Sequence, residues 1–338
     1  MIHSAVIGLG VIGKVHISAI SSLENALVTA VCDTDTAKRE LAPQGAAFYT
    51  DIDELFRKEK LKGAQPLVVH VCLPHYLHYP VAKKAAEAGL HIFAEKPLAM
   101  NVKEGEEYCK LETQYKVKIC LCLQNRLNTT NETLYGILRR GEYGRVIGIH
   151  GSVAWYRSKE YYDAGPWRGI MAEAGGGCMI NQAIHTMDLM QYFVGSHMVS
   201  VKGSIGQVLD YGIEVEDTAT GRITFENGAQ GLFTASVANY TDENVQIRVH
   251  CEKADFVLRD RNLFIVKDGT QELLASDSAE YVGKQVYGSS HAKLIDRFYQ
   301  ALEGKDVPYI HPEEGLPSLA MIDAIRKSSE TGETVYFR

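Results

Sequence analysis

The sequence predicts an α/β protein in which a doubly wound parallel sheet is followed by a second domain built on a mainly antiparallel sheet. Three observations carry this. Over residues 1–124, short β-rich runs alternate with helical stretches, the pattern of parallel strands joined by crossover helices. Beyond residue 124 the runs lengthen and alternate apolar with polar residues, as antiparallel strands with one covered face do. A chain of 338 residues, 46% of them hydrophobic, is also longer than one core usually serves. Two domains are therefore expected, 1–124 and 125–338.

In chain order, the predicted strands of the first domain are SAVIGLG (4–10), LVTAVCD (27–33), PLVVHVC (66–72), HIFAE (91–95) and VKICLCL (117–123). Between them DIDELFRKEK (51–60) reads as an amphipathic helix, and YPVAKKAAEAG (79–89) ends in the Gly that helix C-termini favour. Asn101 and Glu104 supply an N-cap and capping box for VKEGEEYCKLETQ. The second domain opens with a helix over 129–140, stopped at Gly141. Strands follow within RVIGIHGSVAWYR, RITFENGAQGLFTASVA and VQIRVHCEKADFVLRDRNLFIVKDGTQELL, with Asn227-Gly228 and Asp268-Gly269 as hairpin turns. Helices at 291–303 and 313–328 cover one face.

Composition narrows the function classes. The start, MIHSAVIGLGV, carries no basic leader, and no apolar run approaches the length that spans a bilayer. A soluble cytoplasmic protein is expected. The seven cysteines form no CxxC pair, which suits reduced thiols rather than disulfides or a zinc site. A net charge of −7 argues against nucleic acid as a partner, since binding a polyanion needs a basic face.

GLGVIG, residues 8–13, matches G-x-G-x-x-G between the first strand and a helix beginning near Val11. Gly8, Gly10 and Gly13 allow a tight turn, close backbone approach to a pyrophosphate and close helix packing. Val11 and Ile12 begin a helix whose N–H groups face that ligand. The second strand ends in Asp33, 20 residues after Gly13, where an acid accepts hydrogen bonds from an adenosine ribose. A carboxylate about 4 Å from a 2′-phosphate repels it by roughly 1 to 4 kcal/mol. NAD is thus expected over NADP, by about ten-fold to a thousand-fold. Lys38 and Arg39, just downstream, are placed to soften this penalty, although their simpler reading is as solvated helix charges.

Two further stretches carry polar groups where apolar ones would be usual. In GGGCMINQAIHTMDLMQYFVG (175–195), a helix starting after the glycines places Asn181, His185 and Asp188 at i, i+4 and i+7 on one otherwise apolar face. The triple glycine suggests close approach of a ligand, and a partnered His can take a proton near neutral pH. In HIFAEKPLAM (91–100), a buried-looking strand stops at Glu95, Lys96 and Pro97. Ligands of open α/β sheets bind beyond the carboxyl ends of the strands, which aims Lys96 at that crevice, while Pro97 biases Lys96 to an extended backbone. His75 and His78 have a spacing that would suit a metal, but no third ligand accompanies them, and none is expected.

Taken together, GLGVIG, HYLHYPVAKKAAEAGLHIFAEKPLA (75–99), QNR (124–126), WYRSKEYYDAGPWRG (155–169) and GGGCMINQAIHTMD (175–188) resemble the Gfo/Idh/MocA family of NAD(P)-dependent oxidoreductases. The resemblance spans both domains in the same order. It implies a Rossmann domain and an open-faced α/β domain whose sheet mediates assembly into homodimers or homotetramers. It also implies a sugar, sugar derivative or cyclitol as substrate, as for an inositol dehydrogenase. By position, Lys96 matches the EKP lysine of the active site and His185 the catalytic histidine. Trp167 and Arg168 match a pair against the nicotinamide end, while Leu73, Pro74, His75, His78, Glu95 and Gln124 line the cofactor's path. Asn125, Arg126, Tyr161, Tyr162 and Asp163 are candidate substrate contacts, together with Lys96, Trp167, Asn181 and His185.

One position departs from the pattern. Polyol dehydrogenases of the family carry Asp where this chain has Asn181, so an Asp-to-His relay is lacking. The base is then His185, oriented by Asp188, or Lys96. The expected reaction is reversible hydride transfer between NAD and a secondary alcohol, which needs a base for the hydroxyl proton and a cation at the developing oxyanion. Two other readings of the same fold are a redox-neutral glycosidase that uses NAD transiently and a non-catalytic dinucleotide-binding regulator.

Overall fold

The computed structural model of the protein describes residues 1–61, 67–277 and 290–337. Among these, the first unit holds the strands β1 (Ile2–Ile7), β2 (Ala26–Cys32), β3 (Ala47–Tyr49), β4 (Leu67–Val71), β5 (His91–Ala94) and β6 (Ile119–Leu121). They pair parallel in the order β3-β2-β1-β4-β5-β6. The order turns back between β1 and β4, the switch point where such a sheet leaves a crevice beyond its carboxyl ends. Both faces are covered, which is why these strands read as continuous apolar runs: every residue of β4 is buried, and so is β5 apart from His91. The crossovers are α1 (Val11–Ser21), α2 (Ile52–Leu61), α3 (His78–Glu87) and α4 (Val102–Tyr115). The doubly wound sheet expected from the sequence is present. Of its predicted strands, Pro66 lies outside the described residues.

In the second unit, α5 (Thr129–Arg140) stops at Gly141, whose φ of 67° is the left-handed cap the sequence anticipates. Then come β7 (Val146–Ala154), α6 (Lys159–Asp163), α7 (Met171–Ala174), α8 (Ile184–Val194), β8 (Met198–Gly206), β9 (Thr218–Phe225), β10 (Gln230–Ser236), β11 (Gln246–Cys251), β12 (Asp255–Arg259), β13 (Asn262–Lys267) and β14 (Thr270–Ser276). The sheet runs β14-β13-β12-β11-β7-β10-β9-β8, ending in a short β15 (Val335–Tyr336). Its β7–β10 pair is parallel and the remaining pairs are antiparallel. Both predicted hairpin turns form, with Gly228 at φ 86°, and Asp268 and Gly269 at 52° and 76°. One face is apolar and covered, through Ile149, Val153, Phe233, Ala235 and Val249. Gly151 lets α8 approach that face, since a Cβ there would lie 2.6 Å from the Met190 sulfur.

The last described helices, α9 (Ser290–Leu302) and α10 (Leu316–Thr331), fall in different units. A single boundary after residue 124 therefore needs correction. Residues 290–316 group with the parallel sheet, because α9 buries Leu294, Ile295, Phe298 and Tyr299 there and packs on α1. β3, β8 and β15 were also not anticipated from the sequence.

Candidate functional site

In the first unit the glycine-rich turn follows β1. Gly8 has φ 92°, and a Cβ there would lie 2.3 Å from the Cys72 carbonyl oxygen. A Cβ on Gly13 would lie 1.9 Å from the Gly8 carbonyl oxygen. Packing thus demands both. Gly10 differs: among the described residues a Cβ there would meet nothing within 4 Å, which leaves open space outside the loop. Gly10 is also the N-cap of α1 and supplies no side-chain cap, which leaves the first N–H groups of an 11-residue helix for an anion. Val11, beside them, is exposed and Ile12 half-buried. Open space, bare N–H donors and a Gly-built turn fit a dinucleotide pyrophosphate.

Asp33 lies just past β2. Its Oδ2 accepts from the Leu9 N–H at 2.8 Å and from Lys38 Nζ at 2.9 Å, and its Oδ1 from the Asp35 N–H at 3.0 Å. Burial alone would raise its pKa, but these donors hold it below the ordinary value. Lys38 is therefore no solvated helix charge: it sits on the carboxylate and tempers its repulsion. Arg39 lies 4.6 Å over the Phe48 ring.

Leu73 and Pro74 follow β4, half-buried. His75 and His78 are both buried, and their side chains do not form an exposed lining. His78 places Nδ1 2.8 Å from the Pro97 carbonyl and Nε2 2.8 Å from the Leu73 carbonyl, and the neutral ring that burial favours donates to one of the two. Its place is between the turn after β4 and the turn after β5, with both ring nitrogens facing the backbone.

Glu95 and Lys96 follow directly on β5, and the Lys96–Pro97 peptide is cis. Burial pushes the Lys96 ammonium below its ordinary pKa while Glu95 opposes that shift. Glu95 itself is buried at the centre of a cluster the sequence reading missed. Its Oε1 lies 2.9 Å from His16 Nε2 and 3.7 Å from His291 Nε2, and its Oε2 accepts from the Lys96 N–H at 3.2 Å. Burial would raise its pKa, but the two histidines hold it well below the carboxylate range. Ligand atoms of His16, Glu95, Cys122 and His291 lie within 4.8 Å of one another. Burial pushes the Cys122 thiol well up, which disfavours a thiolate ligand. Gln124, buried, accepts from the Cys122 thiol at 3.5 Å. The available signal was His70 inside the apolar run of β4, since a polar group in a covered strand must find a partner.

In the second unit, a π-turn at Met179–Ala183 leads directly into α8. It breaks the simple i, i+4, i+7 register, as such turns often do near functional sites. Of residues 174–190, Asn181, Gln182 and His185 alone escape full burial, so they form the polar edge of this segment. Tyr161 caps it: its hydroxyl accepts from Gln182 Nε2 at 3.1 Å and Asn181 Nδ2 at 3.3 Å. Arg168 lies 4.6 Å over the Tyr161 ring and 5.3 Å from that of Trp167. The structure thus brings Tyr161, Trp167, Arg168, Asn181 and Gln182 together. Tyr162 is 6% exposed and packs inside against Gly169, and Asp163 pairs with Lys159 at 2.6 Å. Neither is placed as a contact residue.

Two sequence expectations need correction here. The triple glycine serves packing within the chain rather than a ligand. Cβ atoms on Gly175, Gly176 and Gly177 would lie 2.7 Å from Met100 Cβ, 1.7 Å from Arg326 Nη2 and 1.8 Å from the Glu216 carbonyl oxygen. Arg126 is buried and binds Asp188 through two bonds, of 2.9 and 2.6 Å, while stacking 4.7 Å from Tyr192. It is a structural cation, and Asp188 has in it a partner besides any on its own helix. The Asn125 main-chain carbonyl receives the Asn131 side chain at 2.7 Å, an N-terminal brace for α5 that does not engage the Asn125 side chain.

Residues 2–122 match the oxidoreductase family with an NAD-binding Rossmann fold, and residues 132–257 match the GFO/IDH/MocA C-terminal domain. D-glucoside 3-dehydrogenase of Escherichia coli (strain K12) is 25% identical over 98% of this chain and 96% of its own length. Inositol 2-dehydrogenase of Rhizobium meliloti (strain 1021) is 22% identical over 97% and 96%. Among solved structures, the WlbA dehydrogenase of Bordetella pertussis, in complex with NADH and UDP-GlcNAcA, superposes with a TM-score of 0.85 at 27% identity, over 99% of this chain and 98% of that one. With both halves matched in order, the chain belongs to the GFO/IDH/MocA family of oxidoreductases.

Proposed function

We propose that the protein oxidises a secondary hydroxyl of a sugar, sugar derivative or cyclitol, with NAD as hydride acceptor. The observation that carries this is Lys96. It stands at the carboxyl end of β5, with the bare N-terminus of α1 and the Asp33 carboxylate at the same edge of the sheet. Bound NAD supplies the electron sink for the carbinol hydrogen. The chain's own groups bind and orient it: N–H donors of α1 for the pyrophosphate, Asp33 for a ribose. Lys96, its amine form favoured by burial, takes the hydroxyl proton. His185 supplies a second proton-transfer group, with Asn181, Gln182, Tyr161 and Trp167 as substrate contacts. The dehydrogenases of glucosides and inositols among the relatives support polyhydroxylated substrates of this kind. A screen of sugars, inositols, sugar phosphates and nucleotide sugars with NAD, followed by NADH formation, tests the proposal. Release of a sugar without net NADH would replace it with redox-neutral glycoside cleavage, and NAD binding without turnover of any substrate with a regulatory role.

A further inference from the structure

Behind Glu95 runs a chain of buried hydrogen bonds whose direction chemistry dictates. An ionised carboxylate accepts and cannot donate, so His16 carries its proton on Nε2, 2.9 Å from Glu95 Oε1. The Nδ1 of a neutral His16 is then a lone pair. It faces His70 Nδ1 at 2.9 Å, so His70 donates from Nδ1. That leaves a lone pair on His70 Nε2, 2.7 Å from the Tyr299 hydroxyl, which donates to it. The Tyr299 oxygen in turn accepts from Ser4 Oγ at 2.6 Å. Ser4, Tyr299, His70, His16 and Glu95 are each buried, so water does not compete for these bonds.

We propose that Tyr299 and His70 are positioning residues that fix the proton positions of this chain, keeping His16 neutral so that Glu95 acts on Lys96 without forming an ion pair to His16. The Nδ1–H of His70 points into the one site where His16 could take a second proton. Tyr299, by donating to Nε2, holds the His70 proton at Nδ1. Burial disfavours the charged form of both imidazoles, and burial keeps the Tyr299 hydroxyl protonated and able to donate. The other titratable groups acting on Glu95 are His291 of α9, Cys122 beyond β6, Cys72 beyond β4, His78 of α3 and Lys96. None of them occupies His16 Nδ1. Were His16 to charge, it would pair with Glu95 as an ion pair, and Lys96 would lose the anion that favours its ammonium form.

Tyr299→Phe removes one hydroxyl and keeps the ring. His70 can then shift its proton to Nε2 and accept at Nδ1, which opens His16 to protonation. The first measurement is ¹⁵N NMR of imidazole-labelled protein across neutral pH. It is expected to show His16 as the neutral Nε2–H tautomer and His70 as Nδ1–H, with His16 taking up a proton in Tyr299→Phe. A wild-type His70 protonated at Nε2, or a charged wild-type His16, overturns the proposal.

The second measurement, a pH profile of turnover, rests on the reading of Lys96 as the proton acceptor. In Tyr299→Phe the rising limb of the oxidation is expected to move to lower pH by about one unit, the scale set by loss of a neighbouring opposite charge. A merely structural Tyr299 would lower the melting temperature and leave the limb in place. An unmoved limb with His16 charged in the variant overturns the link to Lys96. Full turnover in Lys96→Ala would instead refute the assignment of the base, and the NMR outcome would still decide the chain.

Discussion

At Lys96 burial and Glu95 pull in opposite senses, and burial prevails. The amine is therefore available below the ordinary lysine value of 10.5. Because oxidation needs the deprotonated form, turnover should rise with pH through a step below that value. Lys96→Ala and His185→Ala are each expected to lower turnover by about a hundred-fold or more with NAD affinity nearly unchanged, the usual scale for positioned acid-base groups. Wild-type turnover in His185→Ala would return that residue to a packing role. Asp33 and Lys38 make a second residue-scale test, since the amine 2.9 Å from the carboxylate offsets part of its repulsion of a 2′-phosphate. Asp33→Ser should narrow the preference for NAD over NADP, and Lys38→Ala should widen it. Titration with both cofactors reads the two shifts, and equal wild-type affinities would reject the role given to Asp33.

At the scale of elements, the turn between β1 and α1 separates two glycines that packing demands, Gly8 and Gly13, from Gly10, which packing does not. Gly13→Ala drives a methyl to 1.9 Å from a backbone oxygen, so the helix must shift and the protein should lose stability by several kcal/mol, at the upper end for single substitutions. Gly10→Ala meets no atom of the described residues and should leave the melting temperature within a degree or two of wild type while weakening NAD. Equal effects of the two variants on NAD and on melting would show that the open space at Gly10 is not where the cofactor lies. The strand–turn–helix placement and the close packing of this turn were legible in GLGVIG, because a strand, a glycine pattern and a helix are local signals. So were β4, β5, α5 and both hairpin turns, each set by a run of apolar residues or a turn pair. The three-residue β3 is held by backbone pairing to β2 and leaves no side-chain pattern. The π-turn before α8 is equally silent, since its extra residue per turn changes no residue type. Arg126 with Asp188 and the His16–His70 pair join positions 62 and 54 residues apart, beyond the reach of any window of sequence.

For the whole molecule, the far face of the second unit's sheet bears on assembly. Strand β10 buries Phe233 and Ala235 on one face, while the opposite face shows Gln230, Leu232 and Thr234. Leu232, 55% exposed, is the apolar centre of a mixed surface that includes Arg222 and His150 on neighbouring strands. We infer self-association through this face, for which a self-complementary contact would bury Leu232. Light scattering is expected to report a dimer or larger species at micromolar concentration, and Leu232→Lys to reduce its mass. A wild-type monomer would reject the surface.

The return of α9 to the first unit sets a timetable for synthesis. The last strand of the parallel sheet ends at Leu121, and the helix that supplies Tyr299 begins at Ser290, 169 residues later. At about 5–20 residues per second, a ribosome takes roughly ten to thirty seconds to cross that interval. During it the nascent sheet lacks the helix that covers its apolar surface, and Ser4 waits for a partner 295 positions away. A fragment of residues 1–124 should therefore aggregate or require a chaperone when expressed alone, and adding residues 290–316 in trans should raise its soluble yield. A soluble, cooperatively melting 1–124 fragment would show that the sheet closes without waiting.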